Sequence, residues 1–172
     1  MRSRTLRLLV STFTAVGLAA AASLLGACRS PAMGTHASVA EVYLEAGRHQ
    51  DAAREAEIEI RREPENPRLR IVGARAHAGL GNTERAIDHL EVALGLSPRD
   101  PQISVLLGEL EQSRENLPDA YVAFRRASKL DPDEIRAWSG LALAADALGF
   151  EEEAADAYER WAELEQEQGF LP

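Results

Sequence analysis

Few residues of this chain could do nucleophilic, redox or metal chemistry. They are one cysteine, Cys28, and four histidines, His36, His49, His77 and His89, in 172 residues. A single cysteine excludes a disulfide framework within the chain and every motif that needs two thiolates. The histidines form no i, i+4 pair, no H-E-x-x-H and no Cys/His ligand spacing. They read as packing or surface residues, and no metal centre is expected. No G-x-S-x-G elbow, G-x-G-x-x-G turn or P-loop is present. Carboxylates are abundant, 28 against 19 Lys and Arg, but acidic pairs at helical spacing in an acidic chain read as solvated faces. The net charge of −9 argues against nucleic acid as a partner, because that binding needs clustered Lys and Arg to displace counterions. The expectation is a protein that is not an enzyme, takes no cofactor and works through its surfaces.

What precedes Cys28 gives that residue a role. Arg2, Arg4 and Arg7 form a cationic start, and Leu8 to Ala27 is then 20 residues without a charge, ending in small side chains. This is the layout of a secretory signal. Leu25-Gly26-Ala27-Cys28 resembles the lipobox of bacterial lipoproteins. The resemblance implies cleavage after residue 27, acylation of Cys28 and a tether over 28–32. Stable attachment needs two or more acyl chains, which such processing supplies. Arg29 stands where an Asp would imply retention at the inner membrane, so the outer membrane, on its periplasmic face, is the expected site. The apolar run is also long enough to span a bilayer, and an uncleaved inner-membrane anchor on a chaperone-like protein is the alternative.

The elements that position everything else come from a repeat. Ala52, Ala86, Ala120 and Ala154 are spaced by 34 residues, as are Pro64, Pro98 and Pro132. The same step relates Ala40, Ala74, Gly108 and Ala142, and relates Gly47, Gly81 and Gly149, with Glu115 as the exception. Four blocks follow, 33–66, 67–100, 101–134 and 135–168, leaving 169–172 as a tail. Each reads as two helices. In the second block, Asn66-Pro67 starts one, Gly81 breaks it, and Pro98 ends the next.

A 34-residue helix–turn–helix period with small residues at its eighth and twentieth positions and a proline near the thirty-second resembles the tetratricopeptide repeat. The fold that this implies is all-α, an α-solenoid of four such units. The small residues let paired helices approach to about 8 Å. In this family the first helices of successive units line a groove that takes a segment of a partner protein. Carried onto this chain, the groove positions include Glu41 and Leu44; Arg68, Ile71, Val72 and Arg75; Gln102, Val105, Leu106 and Glu109; and Arg136, Leu143 and Asp146. Ile71, Val72, Val105, Leu106 and Leu143 are expected to form one exposed apolar strip among charges of both signs. Trp138 and Tyr158 are expected in the core. The Lys, Asn and Arg set by which some co-chaperone relatives clamp a C-terminal carboxylate is missing.

Three departures from the pattern carry expectations of their own. Glu115 replaces a turn glycine, so that turn should use another geometry, with Asn116 left-handed. Gly73 stands where Leu107 and Leu141 stand, which leaves the second unit one core side chain short. Glu59 takes a column held by Ala93 and Ala127, as in a loosened capping unit.

The last helix, Glu151 to Glu167, carries eight acids and one base. Trp161, Phe170 and Leu171 lie at that open end as a lid, or as a surface for a partner or a second copy. Together these readings describe a lipid-anchored adaptor with membrane-bound envelope partners in pilus, secretion or outer-membrane assembly. A scaffold for polysaccharide export or a cell-wall complex, with a glycan-binding groove, is the alternative.

Overall fold

The computed structural model describes residues 38–169, and these form eight α-helices and no strand. They are α1 Val39–Glu45, α2 His49–Arg62, α3 Pro67–Gly79, α4 Thr83–Leu96, α5 Pro101–Ser113, α6 Leu117–Leu130, α7 Ile135–Ala147 and α8 Glu151–Glu167. Each helix packs on the next, and α1 also meets α3, and α5 meets α7. No described helix is long and apolar enough to cross a membrane. The segment holding Cys28, and the tail residues Phe170 and Leu171, lie outside the described residues.

Local chemistry sets where helices begin. Asn66 and Asp100 each accept a hydrogen bond from the backbone N–H two residues on, with Pro67 and Pro101 in the first turn where no donor is needed. Glu134 does the same for α7. Ser38 and Glu41 form a reciprocal capping box at α1. That helix has only seven residues, and Glu59 holds its start by accepting from Val39 N–H at 3.0 Å. The glutamate that looked like loosening therefore works as a cap for the terminal unit.

The turn at Glu115 differs from expectation. Glu115 itself is left-handed, at φ 60, beside φ 69, 74 and 79 at Gly47, Gly81 and Gly149, while Asn116 has φ −84. The hydrogen bonds also match. Glu115 and Asn116 donate to the carbonyls of Gln112 and Glu111 at 3.0 and 2.9 Å, as Gly81 and Asn82 do to Ala78 and His77 at 2.9 Å each. Repeat geometry overrides the residue's own preference, and the strain stays in the backbone.

The core follows the small-residue columns. Ala40, Ala74, Ala142, Ala52, Ala86 and Ala120 are all buried, and Gly108 lets the Phe124 ring fill the space beside α5. Trp138 packs on the cluster of Ala120, Phe124, Leu141, Ala142 and Ala157, its indole N–H donating to the Pro132 carbonyl at 2.8 Å. Tyr158 does not join the core as expected. It stands exposed on α8 and stacks on Trp161, with ring centroids 6.1 Å apart, because no further described helix covers that face.

Candidate functional site

The first helices α1, α3, α5 and α7 carry the groove positions, and the repeat step makes their cross-helix neighbours regular. A residue at the ninth position of one unit faces the second position of the next. Arg68 donates to Glu41 at 2.5 Å, and Arg136 donates to Glu109 at 2.9 Å, so two such pairs close on themselves. The third is Arg75 and Gln102, which have no charge to share. Arg75 makes none of the ion pairs found among the described residues. Each pair keeps one exposed arginine in contact with water, while Glu41 is mostly buried and Glu109 half-buried. Such pairs are worth about 1 kcal/mol at most where solvent reaches them, and they matter more as markers of where first helices touch.

Between α3 and α5 the arrangement opens. The contact of α4 with α5 is smaller than that of α2 with α3 or of α6 with α7. A cavity of about 280 Å³ lies here, lined by Arg75 and Ala78 from α3 and by Leu106, Glu109, Leu110 and Ser113 from α5, with Leu90 at its base. It presents apolar side chains with a free guanidinium at one side, a suitable niche for an apolar residue next to a carboxylate.

The continuous strip expected from the sequence does not form. Val105 is fully buried, and Ile71 and Val72 are also in the core. Val72 packs with Ala40, Ala56, Ile60 and Leu69, and Val105 with Ala127 and Ala137. Sequence assigned these columns to the groove, but a helix flanked on two sides turns part of that face inward. Leu44 and Leu106 are half-buried, Leu143 is 46% exposed, and Arg68, Arg75, Gln102, Arg136 and Asp146 are exposed. Trp161 is half-buried and donates to Glu165 at 2.9 Å.

One cluster escaped the sequence reading altogether. His77 on α3 and His89 on α4 stack with ring centroids 5.4 Å apart, and both are more than nine-tenths buried. Glu57 on α2 joins them, its Oε1 3.1 Å from His89 Nε2 and 3.9 Å from His77 Nε2. Burial holds the His89 imidazole below its ordinary value, opposed by Glu57 and assisted by His77 and Arg70. The three residues come from three helices at irregular spacing, so no local motif announces them.

Paired helices in register, small residues at each crossing and a groove along the first helices define a solenoid of protein-interaction repeats. The chain belongs to the tetratricopeptide repeat family, whose model matches residues 40–101 and 105–168. None of the curated protein sequences matches it. Among solved structures, the crystal structure of MamA is similar at TM-score 0.72 and 20% identity, over 77% of each chain. YrrB, described as a TPR protein with an unusual peptide-binding site, is similar at TM-score 0.66 and 18% identity, over 74% of this chain and 66% of that one. The first TPR of Spaghetti (RPAP3), bound to the HSP90 peptide SRMEEVD, is similar at TM-score 0.62 and 21% identity, over 64% and 87%. These likenesses concern the fold.

Proposed function

We propose that this protein is a membrane-anchored adaptor of the bacterial cell envelope. It holds a segment of a partner protein in the cleft between α3 and α5 during assembly of a pilus, secretion or outer-membrane complex. The observation that carries the binding reading is the cleft itself. Leu106, Leu110 and Ala78 offer an apolar floor, and beside it stands Arg75, which makes no ion pair among the described residues, Glu109 in the same lining being held by Arg136. Two fold relatives are described with bound or binding peptides, which supports a peptide as occupant.

The anchoring part rests on the sequence around Cys28. Only Arg29 to Ala32 separate it from the first repeat block, so the tether reaches roughly 15 Å at about 3.3 Å per extended residue. A solenoid kept that close to lipid is suited to partners that are themselves in the membrane.

The test is site-specific photo-crosslinking in intact cells. A crosslinker in place of Leu106 or Arg75 should give a discrete adduct with an envelope protein, and one in place of Val122, on the second helix α6, should not. Equal patterns from all three positions would overturn the cleft as the binding site.

A further inference from the structure

We propose that Glu57, His77 and His89 form a binding site for a zinc-class divalent transition-metal ion. Each residue offers one ligand atom, and the three atoms lie within 4.8 Å of one another. Two imidazoles and one carboxylate, with a remaining position for water or another ligand, make a donor set that Zn²⁺ accepts in tetrahedral geometry. Ligand atoms around such an ion stand about 3.3 Å apart, given bonds of about 2.0–2.1 Å. The His89–Glu57 separation of 3.1 Å and the His77–Glu57 separation of 3.9 Å already bracket that value. Glu57 is 45% exposed, so its carboxylate can turn to complete the closure, and one of the two stacked rings, 14° from parallel, must turn with it so that both in-plane lone pairs meet the ion.

The state of His77 is the second observation. Its ring is 5% exposed, its Nδ1 has no hydrogen-bond partner, and its Nε2 reaches Glu57 only at 3.9 Å. That distance is too long for a hydrogen bond. The unpaired Nδ1 lies on the far side of the ring from Glu57 and is not met by the ion. What the ion supplies is a partner for Nε2, which makes no hydrogen bond among the described residues. The ring also borders a cavity of about 520 Å³ shared with Glu57, Gln50, Ala53, Arg54, Arg61 and Arg85. The cavity gives an ion its route in and leaves room for an exogenous ligand in the open position.

Charge decides which ions fit. Imidazole nitrogen favours zinc, nickel, copper or cobalt over magnesium and calcium, which prefer oxygen. Arg54, Arg61 and Arg85 at the cavity and Arg70 near His89 oppose any cation. Arg54 is partly offset by Asp51 at 3.6 Å. The arginines lower the affinity below that of a closed structural site. They also favour an anion, such as a carboxylate, as the fourth ligand.

The test uses the full chain, purified in detergent and stripped with a chelator. Zn²⁺ is titrated in competition with a chromophoric chelator, and Co²⁺ is added separately to read its ligand-field absorption. The expected result is one Zn²⁺ per chain, bound below 100 μM, and a four-coordinate Co²⁺ spectrum. Glu57→Gln and His77→Gln should each weaken binding tenfold or more, with an unchanged circular dichroism spectrum. Zn²⁺ should also raise the melting temperature of the unsubstituted chain and not that of Glu57→Gln. His36 and His49, and Cys28 in any chain left unacylated, can bind zinc on their own, so dependence on Glu57 is the criterion. It applies even where His77→Gln does not fold, because Glu57 is not in the core. Binding unchanged by Glu57→Gln, or none at 100 μM Zn²⁺, would overturn the site.

Discussion

Gly73 and His89 are a size-compensated pair: a Cβ built on Gly73 would stand 3.4 Å from the His89 ring. In the next two units the same two columns hold Leu107 with Ala123 and Leu141 with Ala157, large on the first helix and small on the second. Leu141 and Ala157 share a core cluster, and Leu107 and Ala123 line one cavity. The second unit inverts the order, and its imidazole fills the space that a leucine fills elsewhere. The side chain missing from one helix is supplied by the other. The inversion also brings His89 against His77.

The pair should therefore be strongly coupled. Gly73→Leu alone should destabilise by about 1–3 kcal/mol through overpacking, and His89→Ala alone by a similar amount through the cavity left behind. The double variant restores the arrangement of the later units and should lose less than the sum. Denaturant unfolding of all four proteins measures the coupling, and additive losses would contradict the pairing. Gly73→Ala meets the ring only at ordinary contact distance, so the roughly 0.5–1 kcal/mol that alanine gains in a helix interior should leave it neutral to mildly stabilising.

The same small step should be costly at Gly108 and Gly140. A Cβ there would come within 2.7 and 2.5 Å of the Phe124 ring, which is 1% exposed and has nowhere to retreat. Gly108→Ala and Gly140→Ala should each cost about 1–3 kcal/mol, more than the roughly 0.5–1 kcal/mol that alanine gains in a helix. Adding Phe124→Leu should recover part of the loss, a rescue that thermal melts can read directly.

Glu115→Gly should stabilise the chain. A non-glycine residue at φ 60 carries about 1–2 kcal/mol of strain, against a smaller entropic cost for glycine in the unfolded state. A gain of about 1 kcal/mol, or roughly 3 °C in Tm for a protein of this size, is expected. Gly81→Ala at φ 74 should move the midpoint the opposite way.

Two groove positions that looked alike in sequence should separate. Val105→Ser empties a fully buried site and should cost about 2 kcal/mol or more. Leu143→Ser, at 46% exposure, should fall within about 0.5 kcal/mol of the parent. Chevron or equilibrium unfolding distinguishes them, and equal losses would contradict the assigned burial.

Cys28→Ala should abolish acylation and move the protein from the membrane to the soluble fraction. Metabolic labelling with a fatty acid and membrane fractionation check both halves. Membrane retention of the unlabelled variant would point to an uncleaved anchor instead.

The repeat spacing alone determined most of the fold. Ala52, Ala86, Ala120 and Ala154 keep one interval, and Asn66, Pro67, Asp100 and Pro101 set helix starts, because period and capping are local properties of the chain. What a face packs against is not local. Val72 and Val105 occupy family groove columns yet lie in the core, and Tyr158 occupies a core column yet stays exposed, since neighbouring helices decide what is covered. Glu115 obeys the turn of its repeat against its own conformational preference, because long-range packing outweighs about 1–2 kcal/mol. The gathering of Glu57, His77 and His89 is wholly tertiary. Their separations of 20 and 12 residues match no helical or turn period. Only the stacking of α2, α3 and α4 brings the three side chains to one point.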